Sequence, residues 1–305
     1  MSGTVAKPKL YIDYISYARA IGKEVENLSS TGFQSGMNWD YLFTLNPSKT
    51  SIAKFSSGST NNGFKLAIDQ RDSPDTQLQR LFRNANYWAI LGNNFNYAVP
   101  SGGELNPEVR GLAHGTLNVG SAITSTEISF EGHENDNVRF YSFGGMPSSY
   151  SSGLRLGFTS GMVQDTEVRM GSFSMGRSFS FPHNANLSMN IKYDQSGIKK
   201  KRTAGGRDIV DVQYYKSPDW DYRRAWDFSR FDNRSAGYVG RRSWDLTFSF
   251  LTKDDTFPVN MNEDYMFDQP TDGSTATPHA TENITSHFMG LTLNGQLPFI
   301  FQPDD

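Results

Sequence analysis

Short stretches in which apolar and polar residues alternate, set apart by glycine, asparagine, serine and proline, recur along the whole chain. Leu10, Ile12 and Tyr14 alternate near the start, and Phe64, Leu66 and Ile68 repeat the pattern. Residues 242–251 carry it furthest: Trp244, Leu246, Phe248 and Phe250 share one side, and Ser243, Asp245, Thr247 and Ser249 the other. A period of two is that of a strand, whose successive side chains point to opposite faces. Trp39, Leu42 and Phe43 mark a further short strand that ends at Asn46-Pro47. Residues 86–95 are the most apolar segment; too short for an independent helix and bounded by Gly92-Asn93-Asn94, they predict a fully buried strand entering a turn.

More strands are predicted over 117–130, 137–143, 153–159, 166–173, 177–181 and 187–193, then a basic hairpin over 197–207. Turn signals recur at roughly eight- to twelve-residue spacing, as in sandwiches and barrels. The stretch 56–63 reads as a linker, 214–231 is aromatic, and a polar loop of about thirty residues follows 251, far above the usual connection length. Thr281 is placed to cap a short helix with Ile284 and Phe288 on its inner side, and 297–301 predicts a closing strand. The fold class is therefore mainly β with few short helices.

Composition agrees: 22 Phe and 14 Tyr stand beside 28 Gly, the mixture that strands and tight turns need. With no cysteine, disulfides and thiolate metal sites are excluded. Residues 1–9 lack the apolar core of a secretion signal, and no run approaches the roughly 18 apolar residues of a membrane helix, so neither export nor membrane insertion is expected. The net charge of −3 hides a split. Residues 199–242 hold twelve Lys/Arg against six Asp/Glu, whereas 253–305 hold one Lys against nine acids. Opposed patches of this kind steer one copy onto another, although two solvated faces of one domain would look the same.

Catalytic chemistry is mostly missing. Gly171-Ser-Phe-Ser-Met-Gly176 has the wrong spacing for a nucleophile elbow, and neither phosphate-loop nor dinucleotide glycine pattern occurs. The histidines at 114, 133, 183, 279 and 287 never pair at metal-ligand spacing. His133 with Glu134 and Asp136 could line a calcium loop or simply form an acidic turn, and Glu127 with Glu131, or Asp254 with Asp255, carry no supporting motif for hydrolysis. No catalytic residue, metal site or cofactor is expected, and no enzymatic activity. Lys199, Lys200, Lys201 and Arg202 with Arg207 would suit phosphates, but the acidic chain makes nucleic acid an unlikely main partner.

Three stretches together resemble the minor tail and distal tail proteins of bacteriophages. Asn86-Tyr-Trp-Ala-Ile-Leu-Gly-Asn-Asn-Phe-Asn-Tyr-Ala98 is similar to a segment N-Y-x-A-I-L-G-H-N of those proteins and of the discoidin-like or jelly-roll modules attached to them, with Asn93 where histidine is common. Gly171-Ser-Phe-Ser-Met-Gly-Arg-Ser-Phe-Ser-Phe-Pro-His183 is similar to their G-R-x-F-x-F-P-H strand. Gly240-Arg-Arg-Ser-Trp-Asp-Leu-Thr-Phe-Ser-Phe250 and Gly295-Gln-Leu-Pro-Phe-Ile-Phe-Gln-Pro303 resemble paired elements of tail-tube-like domains.

The resemblance implies a tail-tube-like β-barrel formed by 1–61 plus 191–305, with a jelly-roll-like β-sandwich inserted at 62–190. It implies a structural virion protein, made in the host cytoplasm, that forms homo-oligomeric rings, often sixfold in such proteins, between the tail tube and other tail-tip proteins. Lys199, Lys200, Lys201, Arg202, Arg207, Arg241 and Arg242 are then the expected subunit interface. The alternative is a carbohydrate-binding module recognising a host surface glycan through Tyr141, Phe143 and Tyr150, residues that equally suit a sandwich core. A glycan hydrolase is the weakest alternative.

Overall fold

The computed structural model describes residues 7–23, 25–31, 39–45, 51–55, 63–68, 77–95, 106–114, 120–128, 138–146, 148–158, 166–186, 190–194, 198–212, 241–252, 256 and 284–302. The strands are β1 (Lys9–Asp13), β2 (Val25–Thr31), β3 (Ser51–Phe55), β4 (Gly63–Ile68), β5 (Tyr87–Asn93), β6 (Pro107–Leu112), β7 (Gly120–Ala122) and β8 (Ser125–Ile128). They continue with β9 (Val138–Phe143), β10 (Gly153–Phe158), β11 (Thr166–Ser180), β12 (Asn190–Asp194), β13 (Ile198–Arg202), β14 (Asp208–Val212), β15 (Arg241–Asp245) and β16 (Phe299–Gln302). Two helices, α1 (Tyr14–Ala20) and α2 (Gln77–Arg83), and the π-helical segment Ile284–Met289 complete the inventory that matters for the site.

Seven strands form one sheet in the order β16-β1-β11-β5-β9-β8, with β3 alongside the first half of β11; five form a second, β2-β4-β10-β6-β7. Every pairing between named strands is antiparallel. The two large sheets bury one face each against the other. Phe64 of β4 meets Phe173 of β11 edge-to-face at 5.3 Å, and Phe95 meets Phe158 at 5.2 Å. Trp88 of β5 stacks on Tyr141 of β9 at 3.9 Å. Offset and edge-on pairs of this kind add to simple area burial. The result is a β-sandwich filled with aromatic rings.

Several expectations are met at residue level. All seven residues of β5 are buried, as a segment apolar on both faces requires. The alternation of Phe64, Leu66 and Ile68 becomes β4, with all three in the core. Others change. The alternation at Leu10, Ile12 and Tyr14 stops at Asp13, whose carboxylate accepts the Ser16 N–H at 3.0 Å and so caps α1 instead of extending β1. Leu78, Leu81 and Phe82, spaced as one face of a helix, form α2, and Tyr14 packs on Phe82 at 5.8 Å. Residues 166–173 and 177–181, expected as two strands, form the single strand β11 up to Ser180. Gly176 permits this, since a Cβ there would collide with the carbonyl oxygen of Ile12 on β1. Trp39–Phe43 is a 3-10 turn, not a strand.

Two larger expectations need correction. Among the described residues no sheet closes into a barrel, and the ladder at 242–251 is not the partner of the closing strand: β15 pairs with β12, while β16 pairs with β1. The ladder stops at Asp245, and Phe250 has φ 65°, a left-handed conformation incompatible with continued extension. Nor do the sheets respect a division at 62 and 190. β1 and β16, from the expected outer domain, hydrogen-bond into the same sheet as β11, β5 and β9, and β2 pairs with β4 in the other. Strand partners are chosen across the whole chain, which composition shifts do not reveal. The linker at 56–63 up to Gly63 (the first residue of β4), the aromatic stretch 214–231, the long polar loop apart from Thr252 and Thr256, and Thr281 lie outside the described residues.

Candidate interaction surface

The edge of the larger sheet is built from the chain's two most distant strands. β16 lies outermost beside β1, with Tyr11 donating its hydroxyl hydrogen to Gln302 Oε1 at 2.6 Å. Among the described residues no strand pairs with the other side of β16. Open edges accept further strands unless they are blunted by charge, proline or a bulge, and Phe299-Ile300-Phe301-Gln302 carries no charge.

Beside this edge runs an aromatic ribbon. Trp244 of β15 meets Phe301 of β16 edge-on at 6.3 Å, and Phe288 meets Phe299 at 4.9 Å. Phe248 stacks on Phe181 at 4.1 Å, and Phe181 in turn meets Phe179 of β11. Backbone and side-chain bonds from Asn186 to Thr247 and Ser249, each 2.8 Å, tie the ribbon to the end of β11. The ribbon ends at Phe250, which is 90 % exposed and at positive φ. A bulky side chain held in a sparsely populated backbone region, with its ring in water, is doubly disfavoured in an isolated subunit. Ile191, opposite Trp244 on β12, and Phe299 are also exposed.

The predicted interface residues fall next to this ribbon in sequence. Residues 201–209 of the β13–β14 hairpin are exposed throughout, including Lys201, Arg202, Arg207 and Ile209. Asp208 tempers the expected positive charge by ion-pairing with Arg202 at 3.5 Å; the backbone of Lys199 lies opposite Asp211 and that of Lys200 opposite Val210. Lys201 and Arg207 remain as exposed cations. Arg241 and Arg242 open β15, opposite Asp194 and Tyr193. The hairpin is a separate two-stranded sheet among the described residues, a unit marginal on its own in water.

The predicted glycan contacts fare differently. Tyr141 and Phe143 are core residues, and Tyr141 is sandwiched on Trp88, so neither ring has a face left for a sugar. Tyr150 is half-buried in the 3-10 turn Ser148–Tyr150, its backbone packed on Gly111. Burial with a hydrogen bond from Arg139 leaves the Tyr141 hydroxyl pKa raised, desolvation being the larger effect.

His114 and His183 are exposed, and His133, Glu134, Asp136, Glu131, Asp254, Asp255 and His279 lie outside the described residues. Glu127 faces Arg139 at 3.7 Å, with its carboxyl pKa raised by burial. Among the described residues no three His, Asp or Glu side chains gather as metal ligands, and no helix is long and apolar enough to cross a membrane.

Two buried ionisable groups escaped the sequence reading. Asp13 is buried at the β1–α1 junction, where Ser16, Ser174 and Met175 all donate to it; desolvation nevertheless raises its pKa. His287 packs against Phe179 with neither ring nitrogen hydrogen-bonded among the described residues, and burial, aided by Arg177, depresses its pKa to about 3. The Asp-x-x-Ser spacing at 13–16 is a capping signal that would have exposed the first.

No protein-family model and no curated protein matches the chain. Among solved structures, it is similar to CBM32-1 from a family 31 glycoside hydrolase from Clostridium perfringens, at 11 % identity and a TM-score of 0.33, covering 50 % of this chain and 94 % of that one. A superposition that loose carries no functional argument.

Proposed function

We propose that this chain is a structural subunit of a phage tail, a binder and builder with no reaction of its own, which associates with further copies of itself into a ring at the distal tail and links the tube to tip proteins. The observation that carries the reading is the aromatic ribbon beside the uncharged strand β16, which is outermost among the described strands, ending in the exposed, left-handed Phe250. Such a surface suits burial against another protein. The exposed hairpin supplies the electrostatic part, with Lys201 and Arg207 steering an acidic surface of the next copy into register. The phage assignment rests on the three sequence motifs, and its place of action is the virion after synthesis in the host cytoplasm.

Native mass spectrometry and size-exclusion chromatography of the full chain test this. Rings are expected for the native protein, and smaller species both for Phe250→Asp and for the combined reversal of Lys199, Lys200, Lys201 and Arg202 to Glu. A native chain that stays monomeric at all concentrations, or rings that survive both changes, overturns it.

A further inference from the structure

The segment 284–302 docks on the larger sheet with a polar group it does not satisfy. His287 is buried against Phe179, and among the described residues neither of its ring nitrogens has a hydrogen-bond partner. Buried polar groups are normally paired, and an orphaned one costs stability. A charged imidazole there would cost far more. Its own turn, Ile284–Met289, contains no other ionisable residue. From β11 the group that acts on it is Arg177, a cation. β1 sets Leu10 opposite Phe179 and Ile12 opposite Arg177, and β16 sets Phe301 and Phe299 opposite those two. Opposed residues share a face, so both strands turn apolar side chains to that side. α1 contributes Tyr14, whose hydroxyl lies in the field of the same Arg177. Among the described residues no carboxylate acts on the ring.

The segment is also held lightly. Among its described side chains only His287, Leu291, Thr292 and Gln302 are buried, whereas all seven residues of β5 are. Among the described strands β16 pairs along one flank, through four residues matched to β1. The turn leading into it is strained: Leu293, Asn294 and Gly295 follow one another at φ 51°, 59° and 76°. Left-handed backbone is unfavourable for residues with a Cβ and is normally met singly. A run of three that opens on a leucine persists only while its surroundings hold it. An orphaned imidazole and a strained turn thus lie in one short stretch at the sheet margin.

We infer that segment 284–302 is an acid-released latch, which leaves the sheet when His287 takes a proton and returns when the proton is lost. Release frees the outer flank of β1 to accept another strand and relieves the left-handed turn, while the sandwich beneath keeps both its sheets. Linkage sets the sign. Released, the ring regains its ordinary value of 6.5; docked, it is held at about 3. The docked form is therefore fully favoured above 6.5 and loses ground as pH falls from there towards 3. From about pH 7.5 to about pH 5 the open population rises about thirtyfold. The device is separate from the association proposed above, because a lone monomer carries all of its parts.

Hydrogen–deuterium exchange of the full chain, read by mass spectrometry as protection factors, tests this. Peptides over β16 should be less protected than those over β5 at every pH, because the latch opens without the sandwich. Their protection should fall about tenfold per pH unit below 6.5, the slope of one proton. His287→Phe should abolish that slope, and His287→Leu is the second variant should the first not fold. His114→Gln and His183→Gln, both at exposed histidines, should keep it. Equal protection of β16 and β5 at all pH values would mean that only global unfolding reaches the imidazole, and overturns the proposal. So does a flat profile in the native chain, an unchanged slope in the His287 variants, or loss of the slope in His114→Gln or His183→Gln.

Discussion

The two-sheet sandwich and the β12–β16 margin use the same side chains to different ends. In the sandwich, Phe173, Trp88 and Phe64 interlock with rings from facing or adjacent strands and are fully buried. At the margin, Trp244, Phe248 and Phe299 make ring contacts of similar quality yet stay partly in water; among the described residues β12 and β15 form only a two-stranded sheet, and β16 is the outermost strand of its own. Aromatic content therefore does not distinguish core from contact surface. The number of packed layers does.

The largest expected break in that contrast is in the core. Phe173→Ala should lose about 3–5 kcal/mol, since the ring bridges the sheets and its loss leaves a cavity, whereas Phe248→Ala at the margin should lose far less; urea unfolding of both variants measures the gap. Equal losses would mean that the ribbon is as much core as the sandwich.

A second, intermediate effect is set by pH. His287 has a folded-state pKa of about 3 against an ordinary 6.5, so the unfolded chain binds the proton first. Its contribution is fully present above the unfolded value and is lost as pH falls from there towards 3. Asp13 works the other way: its raised pKa makes its contribution present at low pH and lost as pH rises through the folded value. His287→Phe should therefore flatten the acid side of a Tm-against-pH curve. Asp13→Ala should lower Tm throughout, by the equivalent of about 1–3 kcal/mol, because the donors of Ser16, Ser174 and Met175 lose their acceptor. An unchanged acid limb in His287→Phe would show that the ring is already charged in the fold.

The smallest change in monomer stability is expected at Phe250. Replacement by Gly relieves the positive φ and should raise stability by up to about 1 kcal/mol in dilute protein, while weakening self-association. A variant that is less stable at low concentration would place the ring against its own subunit.

Legibility from sequence followed the range of the interactions. β4, β5, β10 and the β13–β14 hairpin were readable because alternation, an apolar run and turn residues are local signals. The capped start of α1 was readable too, had Asp13 and Ser16 been weighed against the alternation of Leu10, Ile12 and Tyr14. What could not be read were partners: Trp244 looked like a barrel strand mated to Phe299–Phe301, yet its backbone pairs with Ile191 and only its ring reaches Phe301. The burial of Tyr141 and Phe143 was hidden for a related reason, since the two alternate as either a core or a binding face would.

The pairing of β1 with β16 also sets a timetable. Tyr11 and Gln302 are 291 residues apart, so on the ribosome β16 emerges long after the strand it pairs with. During synthesis β1 has one flank unsatisfied, first awaiting β11 and then β16, and long-separated pairings form slowly. The nascent chain is thus exposed to premature pairing with other nascent chains until β16 has emerged, a window in which chaperone capture or crowding on polysomes decides the yield of native protein.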